Sequence, residues 1–212
     1  MDWVHVSESS SVPPPPLLPP SSPDTFAPEI EPEDGTSAEF IMTQTIMKNL
    51  LENGLPLIHR FQKWKRLFSL LRDGCSFLSL LSKCASHRRT IILIQTTSLK
   101  TFGAYSTESW SNRPGPANFY GSGESFVFEI PTPSSLKMYK WTGCNNFFQL
   151  CDQDTSRIAI GGGGEGGEFA ICVEDDFNRG TSGPTETYGN EMPLGGEGWF
   201  EVLNFEVYGF VS

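Results

Sequence analysis

The chain has 212 residues, with 15 Lys and Arg against 25 Asp and Glu, for a formal net charge of −10. That length suits one domain plus a tail, and its acidic C-terminal half offers no phosphate-neutralising surface, which excludes a general nucleic-acid binder. No apolar run approaches the ~20 residues that cross a bilayer, and no basic-then-apolar leader follows Met1, so a cytoplasmic, intracellular protein without membrane insertion is expected.

The charge lies in three blocks. Residues 1–39 carry eight acidic groups and no Lys or Arg, a net −8. Residues 40–101 carry ten basic groups against Glu52 and Asp73, a net +8, and residues 102–212 carry five basic against fifteen acidic groups, a net −10. Nine of the 16 prolines precede residue 40, set among Ser and acidic residues. So few large apolar groups cannot offset the entropy of ordering, so residues 1–39 are expected to be a disordered tail with polyproline II stretches. The P-x-x-P spacings at 13–16 and 16–19 lack the flanking Arg or Lys of an SH3 ligand, which favours a solubilising role.

The body is expected over 40–212. Thr43 is placed to cap a helix with Ile46, Met47, Leu50 and Leu51 on one face, and Asn53-Gly54 stops it. The run 61–71 fits both a helical stripe and a strand. Arg72-Asp73-Gly74 is a turn, and Ser76 caps a second helix whose apolar face is Phe77, Leu80, Leu81 and Cys84. His87 is expected to be exposed in that helix's last turn.

From residue 90 the pattern changes to short β-branched and aromatic segments, at 90–96, 101–105, 125–130, 136–141, 147–151, 157–160, 169–173 and 200–210. Eight strands bounded by turn residues imply an antiparallel sandwich or barrel. With two helices before them, the class is α+β, predominantly β.

The chemical motifs mostly fail on their context. The glycine tract 161–167 matches G-x-G-x-x-G by abundance alone, because a strand rather than a helix follows it; a flexible hairpin loop is expected. Asp152-Gln153-Asp154 opens like a calcium loop, but Arg157 stands where Gly is needed and Gly163 where a bidentate Glu is needed. Glu174, Asp175 and Asp176 are expected to form a solvated turn, not a metal site. Five cysteines, an odd number, imply reduced thiols, and neither His59 nor His87 is spaced to activate one. A catalytic centre, cofactor or metal is therefore not expected.

Seven strings occur in an order that identifies a family. They are Leu-Phe-Ser-Leu-Leu-Arg-Asp-Gly-Cys-Ser at 67–76, Phe-Gly-Ala-Tyr at 102–105 with Trp110 after it, and Phe-Tyr-Gly-Ser-Gly-Glu-Ser-Phe-Val-Phe at 119–128. Then come Tyr-Lys-Trp-Thr-Gly-Cys-Asn-Asn-Phe-Phe at 139–148, Ile-Ala-Ile-Gly-Gly-Gly at 158–163, Asn-Arg-Gly-Thr-Ser at 178–182 and Phe-Glu-Val-Tyr-Gly-Phe at 205–210. The body resembles a TLDc domain, the module of oxidation resistance proteins and nuclear receptor coactivator relatives. The resemblance implies two packed antiparallel sheets, a β-sandwich, flanked by short helices, with 64–70 as a strand. It further implies a single-domain, monomeric and non-catalytic interaction module that protects against oxidative stress and binds the vacuolar proton ATPase. LysM and TBC segments of larger relatives are not seen here.

Six residues of these strings are the candidate partner-contact or structural positions. Asp73 and Gly74 are expected in a turn, with the glycine supplying positive φ. Glu124 is either buried and hydrogen-bonded or turned to a partner, and Asn178, Arg179 and Gly180 are expected in a functional surface loop. The alternative reading is a thiol-based peroxide scavenger using Cys144 or Cys151, both expected near exposed strand ends. Trp110, Trp141 and Trp199 are expected as core or loop anchors.

Overall fold

Thr43 begins the first helix as its sequence position predicts. Its Oγ1 accepts from the Ile46 N–H at 3.2 Å, and α1 (Gln44–Asn53) ends where the Gly54 N–H donates to the Leu50 carbonyl. This computed structural model describes residues 28–31, 40–111, 118–174 and 176–211. After α1, Pro56 leads into a single 3-10 turn, Leu57–Arg60, and then into β1 (Lys63–Ser69). The ambiguous run is thus a strand at its centre, closed by a one-turn helix, α2 (Leu70–Asp73), with Gly74 at φ 75°. Ser76 caps α3 (Phe77–Cys84) through an Oγ that accepts from the Ser79 N–H, and the four predicted apolar residues are buried.

Nine further strands follow. They are β2 (Thr90–Thr96), β3 (Thr101–Ser106), β4 (Phe126–Thr132), β5 (Ser135–Lys140), β6 (Gln149–Asp152), β7 (Arg157–Ile160), β8 (Ile171–Val173), β9 (Arg179–Thr181) and β10 (Trp199–Val211). All named strands pair antiparallel, in the order β5-β4-β3-β2-β10-β9-β8-β7-β6, with β1 also on β10. The 13-residue β10 joins two sheets. Its first three residues pair with β9, and its remainder runs between β2 and β1. β9 takes up the edge of β10 beyond the point where β1 ends.

Side-chain alternation along β2 explains the layers. Ile92 and Ile94 join Phe102, Ala104 and Val127 of the first sheet against Ile158, Ile160, Ile171 and Val173 of the second. Ile91 and Leu93 point the other way, with Tyr105, Phe126, Phe128 and Tyr208, and pack under Ile46, Met47, Leu50 and Leu51 of α1. The central sheet is covered on both faces, which is why β2 is an unbroken apolar run. The architecture is α+β and predominantly β, as expected.

Four local expectations are corrected. Arg179–Thr181 is a strand rather than a loop, because a chain so placed satisfies its peptide groups on β8 and β10 at once. Gly180 is buried there: a Cβ would lie 2.4 Å from the Phe200 ring and 2.6 Å from the Cys172 carbonyl oxygen. His87 is half-buried against Gly209 instead of exposed. Most of the expected tail, 1–39, lies outside the described residues, but 28–31 do not behave as a tail. Ile30 forms a parallel bridge with Trp64, through Glu31 N–H to Trp64 O at 2.7 Å and Trp64 N–H to Glu29 O at 2.9 Å.

Candidate functional site

Asp73 closes α2 and is held from four directions. Its Oδ2 accepts from the Ser69 N–H at 2.9 Å and from Arg72 Nη2 at 2.7 Å; its Oδ1 accepts from Arg72 Nε at 3.0 Å and Lys83 Nζ at 2.9 Å. Burial raises its pKa, but the Arg72, Lys83 and Ser69 donors outweigh burial and hold the carboxyl at about 2. A carboxylate whose lone pairs are already occupied is a clamp between β1, α2 and α3, and Gly74 provides the left-handed turn that lets the chain leave it.

Glu124 is exposed and pairs with Arg89 at 3.4 Å. Arg89 is the last residue before β2, beside a cavity of about 190 Å³ lined by Ile58, His59, Gln62, His87, Arg88 and Arg89. The neighbouring Arg88 donates Nε and Nη2 to Glu108. His59 is buried, and its Nδ1 lies 2.8 Å from Gln62 Oε1 and its Nε2 3.0 Å from Tyr105 Oη. The Gln62 oxygen can only accept, so Nδ1 carries the proton and the tyrosine donates to Nε2. Burial lowers the pKa of His59, with Arg89 adding to the effect, which keeps the ring neutral.

Asn178, Arg179 and Gly180 sit across the molecule from Glu124. The Asn178 N–H and Nδ2 donate to Asp176 at 2.9 and 3.0 Å, and its carbonyl accepts from Val202 N–H at 2.9 Å. Arg179 is exposed, opposite Glu201 in the strand register, with its guanidinium 5.8 Å from the Trp199 ring. Trp199, at 53 % exposure, and Leu203, at 41 %, lie on the same side of β10. Leu71, 61 % exposed, joins the same end, since its N–H donates to Asn204 Oδ1. The structure therefore gathers Asp73-Gly74 and Asn178-Arg179 at the first half of β10 and leaves Glu124 at the other end.

Of the expected thiols, Cys144 is exposed but Cys151 is buried, because β6 lies in the inter-sheet core. Trp110 is a core anchor, and Trp141, 40 % exposed, is a loop anchor whose Nε1 donates to the Asn145 carbonyl at 2.7 Å. Asp152 makes the expected turn, accepting from Asp154 N–H, Thr155 N–H and Thr155 Oγ1. The carboxylate cluster cannot be placed as a unit, since Asp175 lies outside the described residues. Among the described residues, no three His, Cys, Asp or Glu are grouped to hold a metal ion. The glycine tract is not wholly a flexible loop: Gly161 and Gly162 are buried, and Gly162 N–H donates to Thr187 Oγ1 at 3.0 Å.

One cluster escaped the sequence reading. Arg66 and Glu206 form a fully buried ion pair at 2.8 Å. Glu206 also accepts from Ile41 N–H at 2.9 Å, Tyr208 Oη at 2.7 Å and Asn204 Nδ2 at 3.2 Å, while Phe40 stacks on the Arg66 guanidinium at 3.8 Å. The available signal was a charged residue on the apolar side of a strand.

Comparison with known proteins identifies the family. The family model for the TLDc domain matches residues 36–211. MTOR-associated protein MEAK7 of Danio rerio is 30 % identical over 204 residues, which are 94 % of this chain and 42 % of that protein. Oxidation resistance protein 1 of Yarrowia lipolytica is 28 % identical over 76 % of this chain and 69 % of its own length. Human nuclear receptor coactivator 7 is 30 % identical over 76 % of this chain, which is only 16 % of the coactivator. With a family model spanning nearly the whole body and relatives among oxidation resistance proteins, the chain belongs to the TLDc domain family.

Proposed function

We propose that this TLDc protein is a non-catalytic interaction module of the cytoplasm that binds and regulates the vacuolar proton ATPase and contributes to oxidative-stress protection. One observation carries the reading: Trp199, Leu203 and Leu71 are exposed on the first half of β10 and on α2, Arg179 of β9 lies over the Trp199 ring, and the Asp73 clamp holds α2 beside them. Aromatic and Arg side chains on a rigid strand are suited to anchoring a protein partner. The polar groups beside the patch are engaged with one another, as in Asp73 with Lys83 and Asn178 with Asp176, which suits recognition better than chemistry.

The test is retention of the full chain by purified vacuolar ATPase. Trp199→Ala with Leu203→Ser is expected to weaken retention by at least about tenfold, with the circular dichroism spectrum unchanged. Retention no greater than on empty resin, for the wild type, would overturn the reading. The peroxide-scavenging alternative now rests on Cys75 and Cys144, both exposed; peroxide consumption abolished by Cys75→Ser with Cys144→Ser would favour it.

A further inference from the structure

The Leu57–Arg60 turn presents two features that the protein-binding patch does not use. Leu57 and Ile58 are 66 % and 57 % exposed, and Phe61, directly after the turn, is 75 % exposed. Leu57 and Ile58, adjacent on the turn, form an exposed apolar collar, where single exposed apolar residues are the ordinary case. Ile58 is also part of the cavity wall, so the collar and the cavity share an edge.

The cavity is basic. Arg88 and Arg89 line it beside the neutral ring of His59, and among the described residues no carboxylate does. Glu108 takes Nε and Nη2 of Arg88, leaving Nη1 for another acceptor. The Arg89 Nε is buried without a hydrogen-bond partner, and Glu124 reaches only Nη2. A buried donor without an acceptor is costly, and an entering anion relieves that cost. Arg60 and the exposed Lys63 extend the positive charge along the turn into β1. Opposite charge inside the cavity and an apolar phase around its mouth are both demanded of the occupant.

We propose that this end of the molecule docks on an anionic membrane surface, with a phosphorylated lipid headgroup entering the cavity and Leu57 and Ile58 entering the interface. A phosphate oxygen array matches the forked guanidinium donors. Peripheral attachment needs two weak signals acting together, and an apolar collar beside a basic site supplies both. The exclusion of a spanning helix stands, since no helix among the described residues is long and apolar enough to cross a membrane. This inference does not depend on the ATPase reading, because it uses the opposite end of β10.

Vesicle flotation of the full chain tests it. The chain is expected to float with phosphatidylcholine vesicles containing a minor fraction of phosphatidylinositol phosphate, and not with phosphatidylcholine alone. Leu57→Glu with Ile58→Glu alters only exposed side chains and is expected to weaken flotation at least about tenfold. Arg88→Gln with Arg89→Gln is expected to remove the preference for the phosphorylated lipid, while melting confirms that the variant is folded. Absence of flotation, equal flotation on both vesicles, or unchanged flotation of the Leu57→Glu, Ile58→Glu variant overturns the proposal. Binding of soluble inositol phosphate without vesicle binding also overturns it, by assigning the cavity to a free phosphate.

Discussion

Asp73 shows how a single side chain can look functional and be structural. Its position in a turn was legible from Arg-Asp-Gly, but its bond to Lys83, ten residues away, depends on how α3 returns across α2. Because the folded pKa, about 2, lies below the ordinary 3.8, the unfolded chain binds the proton more readily. The stabilisation is therefore complete above the ordinary value and is lost as pH falls from there through the folded one. Asp73→Asn is expected to cost about 2 kcal/mol at neutral pH and to flatten the acid limb in that same window. Urea unfolding at stepped pH measures both, and an unaltered acid limb would remove Asp73 from that role. Glu206 marks the limit of legibility at this scale. Its place in Phe-Glu-Val-Tyr-Gly-Phe puts it on the Tyr208 side of β10, but the peptide of Ile41 and the guanidinium of Arg66 come from far along the chain. Only the tertiary fold brings those donors to it.

Elements with local signals were legible and those without were not. The caps Thr43 and Ser76 and the apolar faces of α1 and α3 are properties of a few adjacent residues. β2 and β7 begin and end where their β-branched runs do. β9 is Arg-Gly-Thr, with no alternation to detect, and exists because β8 and β10 flank it with free edges. The same context decides what Gly180 does. It was a candidate for a functional loop beside Arg179, yet the two neighbours have opposite roles. Gly180→Ala drives a Cβ into Phe200 and the Cys172 carbonyl and is expected to cost about 2–3 kcal/mol. Arg179→Ala, at an exposed position, is expected to change stability by less than about 0.5 kcal/mol while weakening partner binding through the Trp199 patch. Chemical unfolding beside a binding assay separates them, and a reversed ranking would return Gly180 to the contact surface.

For the whole molecule, the three charge blocks become a matter of position. The basic stretch 40–101 builds α1, β1, α3 and β2, whereas β6 to β9 come entirely from the acidic stretch. Part of the contrast is spent internally, in Arg66–Glu206, Arg88–Glu108 and Arg89–Glu124, each joining the basic block to the acidic one. Arg60 and Lys63 keep positive charge at the Leu57–Arg60 turn, beside the cavity whose Arg88 and Arg89 are shared with Glu108 and Glu124. The two proposed surfaces lie toward opposite ends of β10, with Leu203 and Phe210 separated by roughly 23 Å of extended chain. At that separation, substitutions in one should not perturb the other. A proton-pumping ATPase sits in a membrane, so one molecule could engage the protein and its lipid surface together, and the second contact would form at high effective concentration. Wild-type chain is then expected to bind ATPase proteoliposomes at least about tenfold tighter when they contain phosphatidylinositol phosphate. The Leu57→Glu, Ile58→Glu variant should lose that gain and keep its affinity for detergent-solubilised ATPase. The Trp199→Ala, Leu203→Ser variant should float with protein-free vesicles as the wild type does. Equal affinity for proteoliposomes with and without the phosphorylated lipid would mean that the two ends of β10 do not act on one membrane.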